Sequence, residues 1–200
     1  MAVQTPGDDH GPWLVVGLGN PGPRYADHRH NVGYRVADVL AERMGSRFRS
    51  HKSGRADVVE GRLAVPGPRV VLARPRCYMN ESGGPVKALL AFYGIAPDHL
   101  VAVHDELDIG FGTLRIKFGG GDNGHNGLRS LRSSLGTGDF YRVRLGIGRP
   151  PGRTEVSDFV LSRYSAAETS LLPVQVVDAA DAVVSLLTDG LERTQQRFNT

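Results

Sequence analysis

Cysteine occurs once in the 200 residues, at Cys77, and tryptophan once, at Trp13. A single cysteine excludes an intrachain disulfide, and without a CxxC pair or a Cys/His cluster there is no framework for a structural zinc site. No apolar run approaches the roughly 18 residues of a membrane span. The first residues, MAVQTPGDDHGP, have neither the basic start nor the apolar stretch of an export signal. These absences predict a cytoplasmic, reducing setting. Core-forming material is not scarce: 40% of the residues are hydrophobic, and a chain of this length buries most of its apolar surface in one core without a staple.

Net charge is also small, at a formal +3, but the charged residues are unevenly spread. Residues 1–150 carry 20 basic and 14 acidic side chains, and residues 151–200 carry 4 and 7. The basic excess is densest between Phe111 and Pro150, where Arg115, Lys117, Arg129, Arg132, Arg142, Arg144 and Arg149 face only Asp122 and Asp139. Such a stretch is either a polyanion footprint or an ordinary solvated face.

Residues 1–12 read as a loose leader and residues 13–200 as one domain. Trp13 to Leu18 has the β-rich apolar character of a buried strand, stopped by Gly19-Asn20-Pro21-Gly22. Val32, Val36, Val39, Leu40 and Met44 recur at helical spacing, with Gly45 as the stop. Strands are predicted over Val58 to Leu63, Arg69 to Ala73, Leu100 to His104, Thr113 to Phe118 and Tyr141 to Gly148. Helices are predicted over Pro85 to Tyr93, Asn126 to Leu135 and Val174 to Leu191. The alternation predicts a three-layer α/β/α sandwich with a mixed, mostly parallel twisted sheet flanked by helices.

Gly17-Leu18-Gly19-Asn20-Pro21-Gly22 matches the GxGxxG dinucleotide fingerprint in letters. The fingerprint needs a helix to start at once, whereas Pro21-Gly22-Pro23 prolongs the turn and helical spacing begins only near Asn31. The glycines therefore either bend the chain or present Asn20 at a strand end. His28 and His30 could form a metal pair with His104, Asp105 and Glu106, but no familiar metal spacing is present. Alternatively Asp105 orients and charges His30, as a general base requires, or it is a turn residue. Asn80 follows another strand. Gly119 to Gly127 is a glycine-rich loop without the Lys-Ser/Thr ending of a nucleotide P-loop, opening at Asn126 into a helix. One histidine, one aspartate and three asparagines beside a basic surface suggest metal-free hydrolysis of an ester or amide on a phosphate-bearing substrate.

Four collinear blocks carry a resemblance. They are Gly17 to Gly22 with Tyr25 and Arg29 to Gly33, Tyr78 to Gly83, His104 to Asp108, and Gly124 to Leu128. In order and spacing they resemble bacterial peptidyl-tRNA hydrolases from about Trp13 to Leu191. The resemblance implies a monomeric cytoplasmic enzyme, without metal or cofactor and without an obligate protein or membrane partner, that cleaves the ester joining a peptide to the 3′ ribose of tRNA. It implies that His30 activates water, that Asp105 holds it, and that Asn20 and Asn80 bind the peptidyl part. Tyr25 and Tyr78 would line the site, Asn126 would orient the water or the tRNA end, and Lys117 and Arg144 would grip the 5′ phosphate. The chain departs from the family at Asp27-His28 and at Tyr78, where phenylalanine is frequent. Rival expectations are an RNA-binding module without catalysis, a nucleotide-dependent enzyme and a metal hydrolase.

Overall fold

Successive side chains of a strand point to opposite faces, and the central strands are apolar at nearly every position, so they demand cover on both sides. The computed structural model, which describes residues 11–199, shows that cover. In chain order the elements are β1 (Trp13–Gly17), α1 (Val32–Arg43), β2 (Arg49–Ser50), β3 (Ala56–Gly61), β4 (Val70–Pro75), α2 (Gly83–Tyr93), β5 (Leu100–Glu106), β6 (Leu114–Phe118), α3 (Asn126–Leu135), β7 (Tyr141–Gly146), α4 (Val156–Val160), α5 (Ala166–Asp189) and α6 (Leu191–Phe198). The leader expected at residues 1–12 lies, up to residue 10, outside the described residues.

The strands form one sheet in the order β2-β3-β4-β1-β5-β7-β6. The central pairs β4–β1, β1–β5 and β5–β7 are parallel, and the three outer pairs are antiparallel. Val15, Leu72, Val101, Val103 and Val143 pack on one face with residues of α1 and α5. Leu14, Val16, Val71, Ala73, Leu100 and Ala102 pack on the other with α2 and α3. The three-layer sandwich is thus present, its parallel strands gathered at the centre. Each fully buried Val or Leu side chain contributes roughly 1.5–3 kcal/mol. The β6 edge is covered by α6, where Asn199 Oδ1 accepts from the Ile116 N–H at 2.6 Å and Gln195 Nε2 donates to its carbonyl at 2.9 Å. That occupies an edge otherwise open to another strand.

The covering helix α5 begins eight residues before the expected Val174. Ser165 caps it, accepting from the Glu168 N–H, while Glu168 accepts from the Ser165 N–H in a capping box, and the helix continues through Pro173. With that start, α5 is long and apolar enough on average to cross a membrane, although Asp178 and Asp181 break its apolar run, and 56% of its most apolar window is buried inside the fold.

Candidate active site

Parallel strands deliver their C-terminal ends to one edge of a sheet, and the loops that follow build the site there. Here those ends belong to β1, β4, β5 and β7. After Gly17 the chain takes a long turn before a single 3-10 turn at Arg29–Asn31 leads into α1. No helix starts at the end of β1, which removes the anion-binding geometry of a dinucleotide fingerprint. Gly17 serves close packing instead: a Cβ on it would lie 2.3 Å from the Gly33 carbonyl oxygen, and a Cβ on Gly33 would lie 2.3 Å from the Val103 carbonyl oxygen. The first turn of α1 therefore rests directly on β5, and His30 meets Asp105 in consequence.

His30 Nδ1 lies 2.9 and 3.0 Å from the two carboxylate oxygens of Asp105, and both residues are buried. Burial alone would lower the histidine's pKa, but the adjacent Asp105 charge and hydrogen bond outweigh it and hold the pKa above its ordinary value. Asp105 is pulled the other way. Burial would raise it, yet His30 and His125 together keep its carboxyl far below the usual carboxylate range. An ionised Asp105 accepts the Nδ1 proton, so Nε2 of neutral His30 carries the lone pair, and it makes no hydrogen bond among the described residues.

The second imidazole on Asp105 was not singled out from the sequence. His125 is the N-cap of α3, and its Nδ1 accepts from the N–H groups of Gly127 at 3.1 Å and Leu128 at 3.3 Å. Its proton must therefore sit on Nε2, which donates to Asp105 Oδ1 at 3.0 Å. Behind it, His104 is fully buried and donates from Nδ1 to the Asp105 carbonyl at 2.7 Å. Burial keeps His104 well below its ordinary pKa, hence neutral. His30, Asp105 and His125 offer ligand atoms within 4.8 Å of one another, the one such group among the described residues. His125 Nε2, however, carries a proton rather than the lone pair a cation needs. His28 stands apart from this cluster, edge-on to Tyr25 at 5.5 Å.

The asparagines are held differently. Asn31, another residue without an assigned role in the sequence reading, clamps the Asn20 backbone, accepting from its N–H at 3.0 Å and donating to its carbonyl at 2.9 Å. Asn20 Oδ1 accepts from the Met79 N–H at 2.8 Å. The Asn20 Nδ2 donor is thereby aimed, and it has no partner among the described residues. The same bond ties the β1 turn to the Tyr78–Met79–Asn80 segment. Asn80 and Asn126 are exposed, and Tyr25 meets exposed Tyr78 edge-on at 6.2 Å. Asn20, His30, Tyr25, Tyr78, Asn80, Asp105 and Asn126 thus line one edge of the sheet.

Lys117 and Arg144 lie to one side, on β6 and β7. Arg144 is in register with His104 on one neighbour and Arg115 on the other, and its guanidinium reaches Glu106 at 3.0 Å. Burial, with Arg144 and Arg142 nearby, lowers the pKa of Lys117. That crowding of like charge favours an incoming anion. Arg142 is not part of the solvated basic face that the sequence suggested. It is 1% exposed and donates to the carbonyls of Gly120, at 2.6 Å, and Gly121. Burial, with Arg132 and Arg144 close by, pushes it down to about 10. Its role is to shape the glycine loop, whose Asn123 adopts a left-handed φ of 49° and donates to Glu106 at 3.3 Å.

A carboxylate-supported imidazole, aimed amides and a flanking cationic patch are groups that hydrolysis of an ester can use. A family model described as peptidyl-tRNA hydrolase matches residues 14–200. The chain is 61% identical over 197 residues to a peptidyl-tRNA hydrolase of Frankia alni, with 98% of each covered. It is 59% identical over 203 residues to that of Streptomyces coelicolor, with 100% of each covered. The crystal structure of peptidyl-tRNA hydrolase from Acinetobacter baumannii superposes with a TM-score of 0.84 at 37% identity, over 95% of both chains. With family sequence and solved fold agreeing over nearly its whole length, the chain belongs to the peptidyl-tRNA hydrolase family.

Proposed function

We propose that His30 is the general base in the hydrolysis of peptidyl-tRNA, the reaction that family membership gives this enzyme. The observation that carries the assignment is the pair of 2.9 and 3.0 Å contacts from His30 Nδ1 to Asp105, which leave Nε2 as the proton acceptor. A water on Nε2 gives up its proton as its oxygen attacks the ester carbonyl. The resulting imidazolium is stabilised by Asp105 and returns that proton to the departing 3′ ribose oxygen. Positioning and charge stabilisation supply the rate, because no group on the protein forms a covalent intermediate in this scheme.

Asn20 Nδ2 and the exposed Asn80 amide hold the peptidyl part, Tyr25 and Tyr78 flank it, and Asn126 orients the water or the tRNA end. Lys117 and Arg144 grip the tRNA phosphate. Residues 13–200 act as one catalytic domain, monomeric and cytoplasmic, with no metal or cofactor in the reaction. The test is hydrolysis of N-acetyl-aminoacyl-tRNA and of the same unblocked aminoacyl-tRNA, with EDTA present. Release from the blocked substrate alone supports the scheme; loss of all activity in EDTA, restored by zinc, would replace it with metal chemistry.

A further inference from the structure

The sheet order sets Lys117 and Arg144 on one side of His30 and Asn80 and Tyr78 on the other. The crowded cations Lys117 and Arg144 lie toward β7 and β6, so a phosphate-bearing half belongs there. The other half then leaves across β4, past Asn80 and Tyr78. This orientation rests on the functional reading above.

Beyond β4 the chain builds a second cationic surface. Ala56 pairs with Pro75, so the β2–β3 turn, residues 51–55, stands at the same sheet edge as the site. The turn is fixed there by a hydrogen bond from the Arg76 N–H to the Arg55 carbonyl at 2.8 Å and one from the Arg76 guanidinium to Ser50 Oγ at 3.0 Å. Arg55 lies against the first turn of α2: a Cβ on Gly84 would sit 2.9 Å from its Nη2. Its charge also acts on Cys77, the neighbour of Tyr78. Gly84, Lys87 and Ala91-Phe92 share one helical face, and on that face Lys52 sits 4.2 Å over the Phe92 ring while His51 meets the ring edge-on at 4.8 Å. Lys52, Arg55, Arg76 and Lys87 are exposed. Against them stand Glu81 and Asp57, and Asp57 is shared by Arg74 and Arg76 at 3.7 and 3.9 Å.

We propose that this β2–β3 turn and the adjoining face of α2 form a subsite for the peptide of the substrate, one that favours acidic side chains. The turn lies two strands from β1, about 10 Å at the usual spacing, which an extended peptide covers in about three residues. Acidic residues from roughly the third onward, counted from the ester, meet Lys52 and Arg55, and apolar ones meet Phe92. An N-acetylated single amino acid does not reach the turn.

The experiment measures kcat/KM for three substrates on one tRNA: an acidic pentapeptide, a neutral pentapeptide and N-acetyl-aminoacyl-tRNA. Wild type is compared with the double variant Lys52→Glu, Arg55→Glu. The expected result is a preference for the acidic peptide of about three- to tenfold, carried by KM and weakened by salt, which the variant abolishes or inverts. Hydrolysis of the N-acetyl substrate stays at the wild-type value, which also shows that the variant folds. Equal rates for the two peptides in wild type would overturn the proposal. Equal loss on all three substrates would overturn it too, and would assign the surface to tRNA. Lys117→Ala on the N-acetyl substrate checks the orientation separately: undiminished tRNA affinity there overturns the functional reading, whatever the peptide ratio.

Discussion

Asp105 Oδ1 accepts a hydrogen bond from His125 Nε2 at 3.0 Å, and His125 has no choice of tautomer, because its other nitrogen caps α3. One imidazole therefore locks the carboxylate that orients the other. The two rings, tilted with centroids 4.8 Å apart, join the site to the start of α3. The glycine loop and the His30–Asp105 pair are joined through this residue.

His125→Ala removes a cap and one of the two imidazoles that hold Asp105. The expected cost is about 1–2 kcal/mol of stability, with a fall in kcat and little change in KM. Thermal unfolding and steady-state kinetics check it. A wild-type kcat would show that Asp105 needs no second holder.

The pH dependence follows from His30. A base must be neutral to accept a proton, and its pKa lies above the ordinary 6.5 because Asp105 outweighs burial. kcat/KM should fall as pH drops through a midpoint above 6.5. Asp105→Asn should shift that midpoint down while lowering the plateau. Stability takes the opposite sign: the raised pKa contributes stability in full below 6.5 and loses it as pH rises through the folded value. A pH–rate profile on N-acetyl-aminoacyl-tRNA reads the midpoint directly.

Two cations in register on β6 and β7 should behave differently. Lys117→Ala should weaken tRNA binding and reduce the slope of log affinity against log salt by about 1. Arg142→Ala should chiefly destabilise, by about 2–3 kcal/mol, because the glycine-loop carbonyls lose their buried charged donor. Binding titrations at several salt concentrations, paired with melting curves, separate the two.

Gly33→Ala places a methyl group 2.3 Å from a backbone oxygen of β5 that cannot move independently of the sheet. The expected loss is about 2–3 kcal/mol, with activity reduced as His30 is displaced from Asp105. Denaturant unfolding measures it.

Much of this was legible in the chain. The segment Asn126–Leu135 is helical as its pattern demands, and Trp13–Gly17 is the central strand its apolar run suggests. The start of α5 was missed because Pro173 interrupts the helical pattern while the capping box lies further back, at Ser165. Arg142 was misread because a charge count cannot see which arginine the loop carbonyls bury. His125 and Asn31 act by orienting neighbours, and spacing alone shows no partner for them. One available signal was position: His125 immediately precedes the α3 helix, where a side-chain acceptor is wanted.

The most direct test of His30 as the base is a single-turnover comparison of wild type and His30→Ala on N-acetyl-aminoacyl-tRNA, with tRNA affinity measured alongside. The account predicts a rate lower by about 10²–10⁴-fold with affinity nearly intact, because it assigns the phosphate grip to Lys117 and Arg144 on β6 and β7. A variant that hydrolyses at the wild-type rate, or one whose affinity falls as far as its rate, would contradict it.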